Sequence, residues 1–186
     1  MVYLFLANGF EEVEALAPLD LLRRANVEVT TVGIGGDVIR GAHGITVHAD
    51  IPDVMFADPK PDMVILPGGM PGSKNLDESR TVDTALKAAV RNNAYIAAIC
   101  AAPMILGKRG ILAGKQATCY PGFEQYLEGA TLSAEKVVTD GRIITAAGMG
   151  VAVDFGLELV AQFTGDAELA DSLRRGIQCK TRNDRP

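Results

Sequence analysis

Three short runs without a charged residue, VYLFL at 2–6, MVIL at 63–66 and IAAI at 96–99, restrict this chain more than any other feature. Each is too short for a helix interior and has no polar face, so each reads as a strand buried on both sides. A fourth strand is read over 27–33, where VEVTTVG is rich in β-branched residues. Between these runs the period changes. Val13, Leu16, Ala17, Leu21 and Leu22 recur at helical spacing, which predicts a helix over 11–25 with Pro18 as its weak point. Further helices are expected over 81–92, after Cys100, over 151–163 and over 167–177, with a loop from Pro67 through Leu76. Two short extended pieces fit 39–48, and weaker strands fit 116–118, 137–138 and 143–146. Buried strands alternating with helices require an α/β fold: a mostly parallel sheet with helices on both faces.

The length of 186 residues, 48% of them hydrophobic and 22% charged, suits one globular domain over 1–179. The tail 180–186 carries no pattern and is expected to be disordered. A net charge of -5, with no basic cluster larger than Arg23-Arg24 or Arg174-Arg175, argues against a nucleic-acid partner. The apolar start lacks a basic flank and soon meets Asn8-Gly9 and acids, unlike a signal peptide, and no apolar run is long enough to span a membrane. Three cysteines at no metal-like spacing and two histidines give no metal site, and free thiols point to the reducing cytoplasm. No GxGxxG opens a helix and no Gly-Lys-Ser/Thr follows a glycine loop, so no cofactor is expected.

In sheets of this kind, ligands bind beyond the carboxyl ends of the strands. The loops at 7–14, 67–73 and 100–103 should meet there. Cys100 lies at a strand-to-helix turn among Ala97, Ala98, Ala101 and Ala102, the setting of a nucleophile elbow, and a following helix N-terminus would favour thiolate. By pattern alone it is equally a small buried hydrophobe. Glu11, Glu12 and Glu14 open a helix, where acids are favoured by the dipole. Glu14 alone is flanked by apolar residues; pointed at Cys100, it would have a raised pKa and could donate a hydrogen bond to a thiolate. Gly68 and Gly69 either form a plain turn or bring bare N–H groups to a ligand, where with the N–H of Ala101 they would make an oxyanion hole. His43, in RGAHGITVHAD, is either a surface histidine or an acid/base. Gly68, His43 and Tyr120 complete the candidate substrate contacts.

The segments NGFEEVEALAPLDLLRRA, VILPGGMPGSKNL and AAICAAPMILGKRGIL, in this order, resemble the ThiJ/PfpI family in the branch of the parkinsonism-associated protein deglycase. The resemblance continues through DGRIITAAGMGVAVDFGLELV and implies a flavodoxin-like three-layer sandwich, usually a homodimer. It places the family's reactive cysteine on Cys100, its protonated glutamate on Glu14 and its oxyanion donors on Gly69 and Ala101. The implied activities are cofactor-independent conversion of methylglyoxal to lactate, deglycation of glycated amines and thiols, and oxidative-stress sensing through oxidation of the cysteine. A redox-sensing or chaperone-like thiol protein with little catalysis is the alternative. The chain also departs from the pattern. Ala101 stands where the protease branch has a histidine, which argues against a peptidase or amidase. Thr118-Cys119-Tyr120 precedes Pro121 where relatives often hold a histidine, Gly148-Met149-Gly150-Val151 replaces a Gly-Pro-Gly-Thr loop, and His43 replaces an anion-binding arginine.

Overall fold

The computed structural model describes residues 1–57 and 60–179; the tail at 180–186 lies outside the described residues. In chain order the strands are β1 Val2–Leu6, β2 Val29–Gly33, β3 Val38–Arg40, β4 Thr46–His48, β5 Ile51–Pro52, β6 Met63–Leu66, β7 Tyr95–Ile99, β8 Gln116–Ala117, β9 Thr131–Leu132, β10 Val137–Asp140 and β11 Ile143–Ala146. The α-helices are α1 Glu12–Arg24, α2 Gly72–Asp77, α3 Arg80–Arg91, α4 Pro103–Lys108, α5 Ala152–Thr164 and α6 Ala167–Gly176.

The central sheet has the order β10-β11-β7-β6-β1-β2-β5. Its pairings are parallel except β10 with β11. The apolar runs alternate between two cores, as a strand with helices on both sides must. Leu4, Leu6, Ile65 and Ile99 pack with Leu21 and Leu22 of α1 and Phe155, Leu159 and Val160 of α5. Phe5, Val64, Leu66 and Ala98 pack with Val82 and Leu86 of α3 and Ile105 of α4. Each such side chain, removed from water, contributes about 1.5–3 kcal/mol, which is why both faces must be covered. The result is the α/β three-layer sandwich expected from the sequence.

Two differences bear on function. The segment expected to be a loop through Leu76 forms α2, because Leu76 enters the core and the turn closes on Ser73 N–H to Gly69 O at 2.8 Å. The helix after Cys100 is only six residues long and begins at Pro103, three positions beyond the cysteine. The chain leaves β1 for β2 on one side of the sheet and β6 for β7 on the other, so the strand order reverses between β1 and β6. At that carboxyl edge their two loops are bonded together, Glu11 N–H to Gly68 O at 3.0 Å and Gly72 N–H to Gly9 O at 3.1 Å.

Candidate active site

Cys100 follows β7 directly and takes φ 65°, a left-handed conformation that costs a non-glycine residue of order 1 kcal/mol or more. Two backbone bonds hold it there: its N–H donates to Ala146 O at 2.9 Å, and its carbonyl accepts from Tyr120 N–H at 2.8 Å. Buried Ala98, Ala101 and Ala102 leave the turn room. The strand-end elbow expected for Cys100 is thus present, and the thiol remains partly accessible.

Glu14 lies in the first turn of α1 with 1% of its surface exposed. One carboxylate oxygen accepts from Gly68 N–H at 3.1 Å, and the carboxyl also meets the Met149 N–H and the Cys100 thiol. Gly68 is required at this junction: a Cβ there would lie 2.6 Å from Cys100 Cβ and collide with Glu14 Oε2. Gly69, at φ 87°, turns its N–H onto the cysteine sulfur, and the Ala101 N–H joins it. The three loops meet as expected, and Cys100, Glu14, Gly68, Gly69 and Ala101 form one constellation.

Its electrostatics differ from a preformed thiolate. Burial pushes Glu14 up to about 7, helped by the charge of Glu11 and opposed by its bonds to Cys100 and the Gly68 and Met149 N–H groups. Burial, then the charge and hydrogen bond of Glu14, push the Cys100 thiol up to about 12 against the Gly69 and Ala101 N–H bonds. A short helix starting three residues away does not offset this, so helix-dipole activation of the thiol is not what the structure holds. The two groups titrate as a pair: the first negative charge goes to the Glu14 carboxyl as pH passes about 7 while Cys100 keeps its proton, and the Gly69 and Ala101 N–H groups offset only part of the cost of moving that charge to sulfur.

His43 stands elsewhere. Its Nδ1 lies 3.1 Å from Glu12 Oε2 and 3.4 Å from Glu11 Oε2, and its ring is exposed. The structure thus places His43 against the acids ahead of Glu14 rather than against Cys100. Atoms of Glu11, Glu12 and His43 lie within 4.8 Å of one another and could ligate a cation, but Glu12 already accepts from the His43 and Ile45 N–H groups. Tyr120 flanks the site with its ring 3.3 Å from where a Gly148 Cβ would stand. The Met149 N–H on Glu14 escaped sequence reasoning; its only signal is the Gly148-Met149-Gly150 departure noted above. Cys119 is buried, and its thiol is pushed up to about 11 by burial and then by Glu124.

The DJ-1/PfpI family model matches residues 1–162. The chain belongs to the DJ-1/PfpI family. Relatives in it include Protein dj-1beta of Drosophila melanogaster, 36% identical over 169 residues that cover 89% of this chain and 90% of that protein. Glutathione-independent glyoxalase DJR-1.2 of Caenorhabditis elegans is 33% identical over 159 residues, 83% of each chain. The solved structure of oxidized Toxoplasma gondii DJ-1 superimposes with a TM-score of 0.92 at 29% identity, covering 97% of this chain and 98% of that one. Family membership and fold therefore agree with the resemblance carried by the three loops. Among the described residues no helix is long and apolar enough to cross a membrane.

Proposed function

We propose that this family member is a cofactor-independent cysteine enzyme of the glyoxalase III and deglycase type, acting on methylglyoxal-like dicarbonyls or their adducts. The reading includes a homodimer in the cytoplasm and a small reactive aldehyde or glycated substrate as its partner. One observation carries it: a buried glutamate pushed up to about 7 shares a hydrogen bond with a cysteine whose sulfur meets two backbone N–H groups. The glyoxalase named among the relatives supports the same class of chemistry.

In the proposed reaction Cys100 Sγ adds to the aldehyde carbon while Glu14 takes the thiol proton. The Gly69 and Ala101 N–H groups hold the oxygen as it becomes an alkoxide, and Glu14 returns the proton to it, leaving a hemithioacetal. Glu14, again a carboxylate, removes the proton from C1 to give an enediol and delivers it to C2, while the proton of the C1 hydroxyl passes to the C2 oxygen. This converts the hemithioacetal to a lactoyl thioester with a C1 carbonyl and a C2 hydroxyl. Water then hydrolyses the thioester, releasing lactate and restoring the thiol. No electron acceptor is needed, since C1 is oxidised as C2 is reduced. The test is Cys100→Ser: lactate formation from methylglyoxal should fall below detection with an unchanged circular dichroism spectrum. Wild-type turnover by the variant would end this reading.

A second reading, redox sensing with little catalysis, is favoured by the accessibility of Cys100 and by the oxidized state of the similar Toxoplasma gondii protein. Mild peroxide followed by intact mass distinguishes it: a gain of two oxygens confined to Cys100, in a protein that forms no lactate, supports sensing. A peptidase lacks its base, because His43 is engaged by Glu11 and Glu12 and His48 faces Asp37.

A further inference from the structure

A second cavity, of about 740 Å³, lies away from Cys100, between α3, the turn at 109–115 and the amino ends of β7 and β11. Ile96 opens its side of β7 whereas Cys100 follows that strand's last residue, a separation of about 13 Å along the strand. Leu86, Ile96 and Ile143 form a buried apolar floor, and Val90, 56% exposed, stands at the wall. A volume of this size with an apolar floor and a few polar groups is what small-molecule sites share.

The charge of the lining is unlike that of the whole protein. Five lining residues are Lys or Arg against one Asp, in a chain of net charge -5. Several of these cations are already matched: Lys87 Nζ lies 2.7 Å from Asp83, Arg109 binds Asp77 and Asp83, and Lys115 Nζ lies 3.2 Å from Asp140. Arg142 is different. Its guanidinium carbon sits 4.2 Å from the centroid of the Tyr95 ring, and among the described residues no carboxylate pairs with it. It lines both this cavity and an adjoining one of about 400 Å³. A guanidinium held against an aromatic face keeps its planar fork of donors for a carboxylate.

We propose that this cavity is a second binding site, for a small aliphatic carboxylate whose chain lies on Leu86, Val90, Ile96 and Ile143 and whose head pairs with Arg142. The apolar floor excludes a purely polar anion such as phosphate as the best fit, and the cationic rim disfavours an amine. The site is independent of the chemistry proposed at Cys100.

The probe is decanoate, titrated below its micellar concentration into the full chain by calorimetry, with decanol and decylamine as matched controls. Saturable decanoate binding is expected, with decanol and decylamine weaker. Arg142→Ala and Val90→Glu both alter exposed side chains, and each should weaken binding by about tenfold or more, the loss of one charge-assisted pair or the gain of a like charge. Thermal melts confirm that both variants fold. Cys100→Ser should bind as the wild type does, so failure of the enzymatic reading leaves this one standing. Absence of saturable binding, equal affinity for decanol, or unaltered affinity in both variants would overturn the proposal. So would the finding that Val90→Glu splits a dimer while decanoate does not bind, which would make the cavity an interface between copies.

Discussion

Glu12 and Glu14 occupy the same turn of α1, are both almost wholly buried, and are driven in opposite directions. Burial raises Glu12 as well, but bonds from its own helix end, the His43 ring, and the His43 and Ile45 N–H groups outweigh it and hold the carboxyl below its ordinary value. Glu14 has fewer donors facing it, the charge of Glu11 nearby and a thiol for a neighbour, and so sits near 7. Burial alone therefore does not make a catalytic carboxyl. A buried acid that is fully satisfied anchors a loop, and one that is under-satisfied can take up and release a proton near neutrality, as the proposed reaction requires of Glu14.

Replacing Glu14 with Gln should separate the two roles most sharply. Gln still accepts from the Gly68 N–H but cannot take up or release a proton, so methylglyoxal turnover should drop by about 10²–10⁴-fold. Stability moves the other way. The folded pKa of Glu14 lies above its unfolded value, so the native state binds more protons and stability falls as pH rises from about 4.5 to about 7. The variant escapes this penalty and should gain up to about 3 kcal/mol at pH 8, with no gain at pH 4, in urea titrations. Equal activity, or a loss of stability at pH 8, would break the comparison.

Gly68→Ala tests whether the pair depends on close backbone approach. The added methyl must displace Glu14 or Cys100, so kcat should fall about 10²-fold, with iodoacetamide labelling of Cys100 altered across pH. At Glu12 the contrast is reversed. Glu12→Ala should cost about 2 kcal/mol of stability by leaving the N–H groups at His43 and Ile45 without their acceptor, and it should cost turnover far less than Glu14→Gln does. Its stabilisation is present above its unfolded pKa and lost as pH falls, so the difference between wild type and variant should shrink in acid.

The pH dependence of kcat/KM provides a finer test, because a base that must be ionised makes the rate rise as pH passes about 7. Glu11→Gln removes a charge that raises Glu14 and should move this rise to lower pH by a few tenths of a unit. The smallest effect is expected from His43→Gln. His43 is stabilised as the cation by its bond to Glu12 and then by the charges of Glu11 and Glu12, so its loss should leave kcat within about twofold. A large kcat loss there would return His43 to the substrate site.

Much of this was legible in the residues. The uncharged runs VYLFL and MVIL could only be buried strands, and their spacing from the helical segments led to the parallel sheet and thus to the edge where Cys100 stands. Short or weakly patterned elements are less legible: β5 and β9 have two residues each, and α2 has the pattern of a loop because glycine and proline open it. Glu14 stood out from Glu11 and Glu12 by its apolar neighbours. That Glu12 is buried as well was invisible, since the groups that satisfy it come from a hairpin about thirty residues away.

The sequence by itself determined the layers and the carboxyl edge at which the three loops meet, because periodicity and strand ends are local properties. The pattern left Cys100 equally a buried hydrophobe, and the resemblance of the loops to the ThiJ/PfpI family singled it out together with Glu14. Tertiary structure decided the protonation chemistry, because a pKa depends on which donors and charges arrive from distant segments. Cys100 at a strand end reads equally as a thiolate beside a helix or as a small buried hydrophobe. Folded, it is a thiol pushed up to about 12 that shares its proton with Glu14, and only the packing of Gly68 against both brings them close enough to do so.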